Sequence, residues 1–226
     1  MRKLLLVGIV LLALAGIGAA SAFSNGGFEN PAIISGNAWS TFPDGTPGLV
    51  WKVEQGIGPD PTSPPGEPTL EFQKVSTLGL TPAEGFQYAE LDSYANVNIS
   101  QMVTLKRGTL YHISFAQTCR PAESGASSKL GVYLDGVLIS RTSCDQTLKW
   151  KTHTVDIVPA SDGDAKLMFA DEGILQQSYG VLLDDIVIRE EENRVPIPEF
   201  PTIALPVGLI IGLLGAAFYI RSTREE

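Results

Sequence analysis

The central part of the chain alternates apolar and polar residues, and this period of two limits the fold more than any other feature. Val97 to Leu105 and Tyr111 to Phe115 each place an apolar residue at nearly every second position. That period is typical of half-buried β-strands. Further strands are predicted near residues 49–54, 69–75, 86–92, 129–134, 137–141, 149–158, 164–170 and 181–189. About ten short strands separated by turn residues predict an all-β domain over residues 23–189, an antiparallel β-sandwich of the jelly-roll type.

The chain has two cysteines, Cys119 and Cys144, and they flank the clearest hairpin signal. Within that signal, Asp135-Gly136 joins two alternating segments, and Asp-Gly is a preferred two-residue hairpin turn. In an oxidising compartment the cysteines are expected to form a disulfide at the open end of the hairpin, contributing roughly 3–4 kcal/mol by chain entropy. Two free buried thiols are the alternative. The Cys and His spacing of a zinc site is absent.

Both ends of the chain carry signals for export and membrane attachment. Residues 1–22 combine a basic start, an apolar stretch and Ala20-Ser-Ala22, as in a secretory signal peptide. Residues 202–220 form an uncharged apolar run, close to the ~20 residues that cross a bilayer as a helix. The basic tail 221–226 favours a cytoplasmic C-terminus. The segment between the signals is therefore expected outside the cell, and an uncleaved N-terminal helix would leave it there as well.

The segment before the apolar run resembles a known sorting signal. Pro198-Glu199-Phe200, the hydrophobic run and the basic end are together similar to the PEF-CTERM tail of archaeal surface proteins. The resemblance implies recognition by an archaeosortase, which would remove the helix and join the exported domain to a lipid. A plain single-pass anchor is the alternative, and either arrangement holds the protein at the cell surface. Residues 190–201, acidic and rich in proline, are expected to form a stalk.

The net charge of the chain is −9 at pH 7, which speaks against one class of partner. Nucleic-acid binding depends on lysine and arginine side chains that neutralise phosphates. We therefore expect no nucleic-acid partner.

A glycosylation sequon occurs at Asn98-Ile99-Ser100. The alternation places Asn98 on the face opposite Val97 and Ile99. In an exported protein, Asn98 on that face could accept a glycan.

Six short motifs occur in order over residues 24–189. They are Asn25-Gly-Gly-Phe-Glu29, Tyr88-Ala-Glu-Leu-Asp-Ser93, Ile99-Ser-Gln-Met-Val103, Tyr111-His-Ile-Ser-Phe115, Val132-Tyr-Leu-Asp-Gly136 and Leu183-Asp-Asp-Ile186. Together they resemble the galactose-binding-like jelly roll, which serves as a carbohydrate-binding module. The resemblance implies a domain that binds surface or extracellular polysaccharide.

The resemblance also implies a structural calcium ion that joins the first strand to the last. Glu29 and Asp184 are the candidate side-chain ligands, with Asn25 and Asp185 as further candidates. Calcium takes six to eight oxygen ligands, so backbone carbonyls would supply the remainder. An Asp pair inside the apolar strand 181–188 is also costly to bury without a cation or hydrogen bonds. Edge carboxylates that meet solvent are the alternative.

Sugar recognition needs flat aromatic faces for stacking and planar polar side chains for hydroxyl groups. The candidates are Trp39, Phe42, Tyr94 and Arg120, of which the first two are expected in the loop after the first strand. Trp51 and Trp150 are instead expected in the core.

The sequence shows no nucleophile-elbow, metalloprotease or phosphate-loop motif. A glycosidase would need two carboxylates about 5–10 Å apart, and Glu90 with Asp92 is one such possibility. Neighbouring carboxylates on a strand are more often solvated, so the sequence favours a surface-anchored, non-catalytic carbohydrate-binding or adhesion domain. A structural protein of the cell envelope or matrix, making protein–protein contacts, is the alternative.

Overall fold

The computed structural model describes residues 23–56, 68–93, 95–121, 128–144, 147–173 and 180–191. The chain divides into two compact units, residues 1–191 and 192–226, and all described residues belong to the first unit. The predicted signal peptide, apolar run, basic tail and Pro198-Glu199-Phe200 motif lie outside the described residues. Within the described residues, no helix is long and apolar enough to cross a membrane.

The described residues form a two-sheet antiparallel β-sandwich of eleven strands with one short helix. The elements are β1 (Trp39–Pro43), β2 (Lys52–Gln55), β3 (Thr69–Gln73), α1 (Val75–Leu78), β4 (Tyr88–Glu90), β5 (Val97–Leu105), β6 (Tyr111–Cys119), β7 (Lys129–Leu134), β8 (Val137–Ser143), β9 (Lys151–Ile157), β10 (Gly163–Asp171) and β11 (Val181–Glu190). The six-stranded sheet has the order β1-β3-β4-β11-β6-β9, and the five-stranded sheet has the order β2-β5-β10-β7-β8. The predicted all-β sandwich is confirmed, and the architecture is consistent with a jelly roll.

Strand β1 corrects the sequence prediction, which places Trp39 and Phe42 in a loop. The strand pairs antiparallel with β3, with Trp39 opposite Gln73 and Phe42 opposite Leu70. It lies at the edge of its sheet and ends at Pro43, a residue that cannot donate a ladder hydrogen bond. A short edge strand of this composition gives little periodic signal.

The core lies between the two sheets and is centred on interlocking aromatic rings. Trp51 is 1% exposed, which confirms its predicted place in the core. Its ring stacks on Phe28 at a centroid distance of 5.5 Å and meets Phe169 edge-on at 6.2 Å. Phe115, from the opposite sheet, meets Phe169 edge-on at 5.5 Å. Such pairs contribute about 0.5–1.5 kcal/mol each beyond their buried area, so they help to hold the two sheets together.

The predicted disulfide joins Cys119 and Cys144, whose Cα atoms lie 5.7 Å apart. Cys119 ends β6 of the six-stranded sheet, and Cys144 directly follows β8, the edge strand of the five-stranded sheet. The hairpin of β7 and β8 turns at Asp135-Gly136, as predicted. The bridge therefore ties the open end of this hairpin to the opposite sheet.

Candidate ligand-binding face on the six-stranded sheet

The six-stranded sheet carries polar side chains on the face that points away from the core. On β3, Leu70 and Phe72 belong to the core, so the alternation of the strand directs Glu71 and Gln73 to the outer face. The strand register places further side chains on this face: Trp39 and Tyr88 beside Gln73, Thr41 and Glu90 beside Glu71, then Leu182 beside Glu90 and Thr118 beside Leu182.

We define the sheet-face cluster as Glu71, Gln73, Tyr88, Glu90, Thr118 and Arg120, the last of which directly follows β6. Arg120 is partly exposed, whereas the other five members are buried. Buried polar side chains on the outer face of a sheet are unusual, because this face normally meets water. This cluster is therefore a candidate site.

Gln73 links the two carboxylates of the cluster. Its Nε2 donates a hydrogen bond to Glu71 Oε1 at 2.8 Å and another to Glu90 Oε2. The other oxygen of Glu71 accepts a hydrogen bond from Ser93 Oγ at 2.8 Å. The amide of Gln73 is thus held in one orientation, with its Nε2 toward the carboxylates.

Arg120 is the cation of the cluster. Its Nη1 lies 3.4 Å from Oε2 of Glu90, which is 0% exposed, and the backbone N–H of Gly180 donates to the other oxygen of Glu90 at 3.3 Å. Burial raises the pKa of Glu90 to about 8, with repulsion from Glu71 adding to the rise and Arg120 opposing it. Glu90 therefore holds its proton up to near-neutral pH.

Three buried polar atoms of the cluster have no hydrogen-bond partner within the described residues. They are Oε1 of Gln73, the hydroxyl of Tyr88 and Oγ1 of Thr118. A buried polar atom without a partner costs about 1–3 kcal/mol, so the cluster is incompletely satisfied by the protein itself. Gln73 Oε1 can accept a hydrogen bond, and the two hydroxyl groups can both donate and accept. The hydroxyl groups of a bound sugar offer the matching donors and acceptors.

Two tryptophans extend the cluster with aromatic rings. Trp39 is 46% exposed and stands beside Gln73 on β1, where an open groove of about 580 Å³ follows residues 36–41. Trp150 meets Tyr88 edge-on at 5.6 Å and donates from its Nε1 to Thr81 O at 2.8 Å. Contrary to the prediction, Trp150 lies outside the main core, in a small apolar cluster with Tyr88. The row Trp39, Gln73, Tyr88, Trp150 thus joins indole rings to polar atoms.

The structure brings together two of the four predicted sugar-binding residues. Trp39 and Arg120 both belong to the outer face of the six-stranded sheet or its border, as described above. Phe42 pairs with Leu70, and its ring lies 5.1 Å from Phe72, so it packs against the core and offers no exposed platform. Tyr94 lies outside the described residues.

Sequence reasoning did not identify Glu71, Gln73 or Thr118 as site residues. The available signal is the pattern around β3, where Glu71 and Gln73 alternate with the buried Leu70 and Phe72. In sequence, that alternation resembles any strand with one solvated face. Their burial depends on tertiary structure, which the alternation does not reveal.

The candidate calcium ligand Asp184 is buried, but backbone N–H groups surround its carboxylate. Its Oδ2 accepts hydrogen bonds from the N–H groups of Ala83 and Glu84 at 2.8 and 3.0 Å, and its Oδ1 accepts one from Asp185 at 2.8 Å. Burial raises the pKa of Asp184 to about 7, and the three donors oppose that rise. The sequence predicts that either a cation or hydrogen bonds must compensate the burial of this carboxylate. In the structure, hydrogen bonds compensate it.

Of the other predicted calcium ligands, the Glu29 and Asn25 side chains are also engaged within the protein. Glu29 Oε1 accepts from the N–H groups of Phe86 and Gln87 at 2.7 and 3.0 Å. The Asn25 side chain bonds to the backbone of Asn30, and Asp185 forms part of a β-bulge in β11. Calcium needs oxygen ligands, whereas N–H donors surround these carboxylates. No group of three or more His, Cys, Asp or Glu side chains that could hold a metal occurs among the described residues, and N–H donors already compensate the carboxylates of Glu29 and Asp184.

The predicted glycosylation site is not presented at the surface. Asn98 is 3% exposed, and its Nδ2, the atom to which a glycan would be attached, donates to Gln55 O at 3.0 Å. Asn98 points away from the core, as the alternation predicts, yet it is covered. The folded domain therefore does not present Asn98 Nδ2 to solvent.

No protein-family model matches the chain, and no curated protein matches its sequence. The chain is distantly similar to solved carbohydrate-binding modules. TmCBM61 in complex with beta-1,4-galactotriose is 18% identical, with 76% of this chain and 100% of that chain covered and a TM-score of 0.44. The CBM22-1 xylan-binding domain from Paenibacillus barcinonensis Xyn10C is 14% identical, with 70% and 97% covered and a TM-score of 0.41. CBM36 in complex with calcium and xylotriose is 18% identical, with 52% and 87% covered and a TM-score of 0.37. Similarity this distant assigns no function, which has to be judged from the residues of this chain.

Proposed function

We propose that this chain is a non-catalytic carbohydrate-binding domain that holds a saccharide on the outer face of its six-stranded sheet. The observation that carries the proposal is the row Trp39, Gln73 and Tyr88. In this row, an exposed indole stands beside buried polar atoms that have no partner in the described part of the chain. Sugars combine apolar ring faces with a rim of hydroxyl groups, and the row offers a counterpart to each.

Each residue of the row has a distinct role in this proposal. The indole of Trp39 stacks on the apolar face of a sugar ring. Gln73, Tyr88 and Thr118 are at most 1% exposed, so the groups that cover them shift aside when the ligand binds. Gln73 Oε1 then accepts a hydrogen bond from a sugar hydroxyl, and the Tyr88 and Thr118 hydroxyl groups bond to its neighbours. Arg120 is a positioning residue, because it holds Glu90, which in turn helps to fix the Gln73 amide. The ligand regains about 1–3 kcal/mol for each buried atom that it satisfies.

We propose binding rather than glycoside cleavage because of how Glu71 and Glu90 are held. Both are buried, and both accept a hydrogen bond from the Nε2 of Gln73. Their remaining oxygens accept hydrogen bonds from Ser93 and Gly180. A glycosidase needs one carboxyl group that protonates the leaving oxygen and a second that attacks or activates water. Carboxylates whose oxygens are all engaged within the protein are better suited to fixing the Gln73 side chain.

We further propose that the domain works outside the cell and is tethered at its surface. The predicted signal peptide, the stalk 190–201 and the apolar run 202–220 support this, and Pro198-Glu199-Phe200 supports sorting by an archaeosortase. The disulfide agrees with an oxidising compartment. The ordered motifs of residues 24–189 support a galactose-binding-like module. Many tethered copies would add avidity to weak individual binding.

A glycan array probed with the full-length chain, followed by titration of beta-1,4-galactan, xylan and the best array ligand, tests the binding proposal. We expect Trp39→Ala to weaken binding of the retained glycan by about tenfold to a hundredfold, the usual loss at a stacking hot spot. Met102→Ala is the matched control, because Met102 is 59% exposed on the outer face of the five-stranded sheet. Equal binding by wild type and Trp39→Ala would contradict the proposed face.

The second candidate function is a structural role in the cell envelope through protein–protein contacts. Exposed apolar side chains favour it, since Phe86 is 82% exposed and Ile34 is 74% exposed. Large exposed apolar groups are common at interaction surfaces. Absence of glycan retention, together with self-association that Phe86→Ser abolishes in sedimentation experiments, would support this second candidate.

A further inference from the structure

A second cavity lies between the edge strands of the two sheets, β8 and β9. It has a volume of about 280 Å³, and we call it the edge cleft. Its lining includes Gln117, Ser143, Cys144, Lys149, Lys151 and His153. None of the six residues of the sheet-face cluster lines it, but Trp150 does, and because Trp150 also contacts Tyr88 the edge cleft adjoins that cluster.

The edge cleft has two lysines in its lining. Lys149 and Lys151 both line it, and within the described residues neither side chain makes an ion pair or a hydrogen bond. Lys52 and Lys106, by contrast, each have a carboxylate partner, Asp44 and Glu190 respectively. In a chain with a net charge of −9, two lysines without carboxylate partners beside one cavity form a local site for an anion.

The lining of the edge cleft is held in place. Gln117 is 1% exposed, accepts a hydrogen bond from Thr142 Oγ1 at 2.5 Å, and pairs in register with Lys151. The His153 ring stacks on Phe115 at 5.4 Å with an interplanar angle of 21°. The disulfide through Cys144 fixes the opposite wall. A site with fixed walls loses little conformational freedom when a ligand binds.

We propose that the edge cleft binds the anionic group of an acidic polysaccharide, a carboxylate or a sulfate carried by a sugar ring. The two ammonium groups supply charge-assisted hydrogen bonds to the anion. Ser143 adds a hydroxyl group to the lining, which suits the hydroxyl groups of a sugar. The volume is below the ~300–1,000 Å³ of sites for drug-sized ligands, so the cleft accommodates a single ring.

This inference deepens the proposed function, because it names the class of glycan that the domain selects. It depends on the proposed function only because it assumes that the ligand is a saccharide. The two sites share neither Trp39 nor the lysines, so each can be lost while the other remains. The overall negative charge opposes nucleic acid as the alternative polyanion.

Titration of the full-length chain with polygalacturonate, with the sulfated galactan carrageenan and with neutral beta-1,4-galactan, at about physiological salt, tests the proposal. We expect an acidic polysaccharide to bind, and Lys149→Ala/Lys151→Ala to weaken that binding by about tenfold or more. Lys52→Ala/Lys106→Ala is the matched control, because it removes the same charge from two exposed ion pairs elsewhere. This control is expected to bind within about twofold of wild type.

Each outcome of the titration has a definite meaning. Polygalacturonate carries carboxylates and carrageenan carries sulfates, so comparing the two identifies the anionic group. If binding of either polysaccharide requires Lys149 and Lys151, the edge cleft is supported as the binding site. Equal losses in the two double variants would overturn it as a general charge effect, and so would poly-glutamate binding as tightly as either glycan. Acidic-glycan binding that needs the lysines but survives Trp39→Ala would support the cleft even if the sheet face binds nothing.

Discussion

The outer faces of the two sheets both carry polar side chains, but these side chains differ in burial and in hydrogen bonding. On the five-stranded sheet, Lys166 and Glu54 form an ion pair in which each side chain is 38% exposed. On the six-stranded sheet, Gln73 and Glu90 are fully buried, and Gln73 leaves its Oε1 without a partner in the described residues. The Lys166–Glu54 pair is therefore partly solvated and self-compensated, whereas the Gln73 and Glu90 pair is desolvated and incompletely bonded.

This difference shows where a ligand site is best sought. An exposed ion pair contributes only about 0–1 kcal/mol, so it requires no functional explanation. A buried group without a partner lowers stability by about 1–3 kcal/mol, and a protein retains several together when a ligand uses them. The five-stranded sheet has one such atom, Asn98 Oδ1, whereas the sheet-face cluster has three beside an exposed indole. Concentration of these atoms on one face marks the site more clearly than polarity does.

The largest expected effect is a difference in the stability lost when one polar side chain is removed from each face. Gln73→Ala removes the donor that Glu71 and Glu90 share, which leaves two buried carboxyl groups side by side. We expect the free energy of unfolding to fall by about 2–3 kcal/mol in urea titrations. Lys166→Ala on the other sheet is the matched change and is expected to cost at most about 1 kcal/mol. Equal losses in the two variants would remove the contrast between the faces.

An effect that is smaller per pH unit is expected in the pH dependence of stability. The pKa of Glu90 is raised from 4.5 to about 8 in the folded protein, mainly by burial. Between these values the folded state binds more protons than the unfolded state, so stability falls as pH rises from about 4.5 to about 8. The limiting slope for one group is about 1.4 kcal/mol per pH unit.

Urea unfolding at several pH values tests this dependence. Glu90→Gln replaces the protonated acid by a neutral group of similar shape, so we expect a flatter profile across the window. Asp44→Asn is the control: the Lys52 hydrogen bond holds the pKa of Asp44 below its ordinary value of 3.8, so its contribution changes only at lower pH. An unchanged slope in Glu90→Gln would show that Glu90 is ionised throughout, contrary to its burial.

Much of the fold could be predicted because it depends on local pattern. The period of two and the Asp135-Gly136 turn predict strands and a hairpin that the structure confirms. The disulfide could be predicted from the expected export and the presence of two cysteines. That it joins the two sheets could not be predicted, because this depends on strand order. Strand β1 was missed, and that error placed Phe42 in a loop, although pairing with β3 turns its ring toward the core.

The candidate site was less predictable because it depends on tertiary burial. Trp39 and Arg120 could be proposed from residue type alone. Glu71 and Gln73 read as solvated strand residues, and only the structure shows them buried around a shared hydrogen bond. The same limit applies to Asn98, whose outward direction was predictable but whose covering was not.

The smallest expected effect concerns calcium and compares Asp184 with Glu90 on the same outer face. Asp184 accepts three backbone hydrogen bonds, so its burial is compensated without a cation. We therefore expect the melting midpoint to change by less than about 1 °C between chelator and added calcium, since a ligand stabilises only the state that binds it. Asp184→Asn should lower the midpoint equally in both conditions, because an amide offers one acceptor oxygen where the carboxylate offers two. A midpoint that rises by several degrees with calcium, and only while Asp184 is present, would restore a metal to this position.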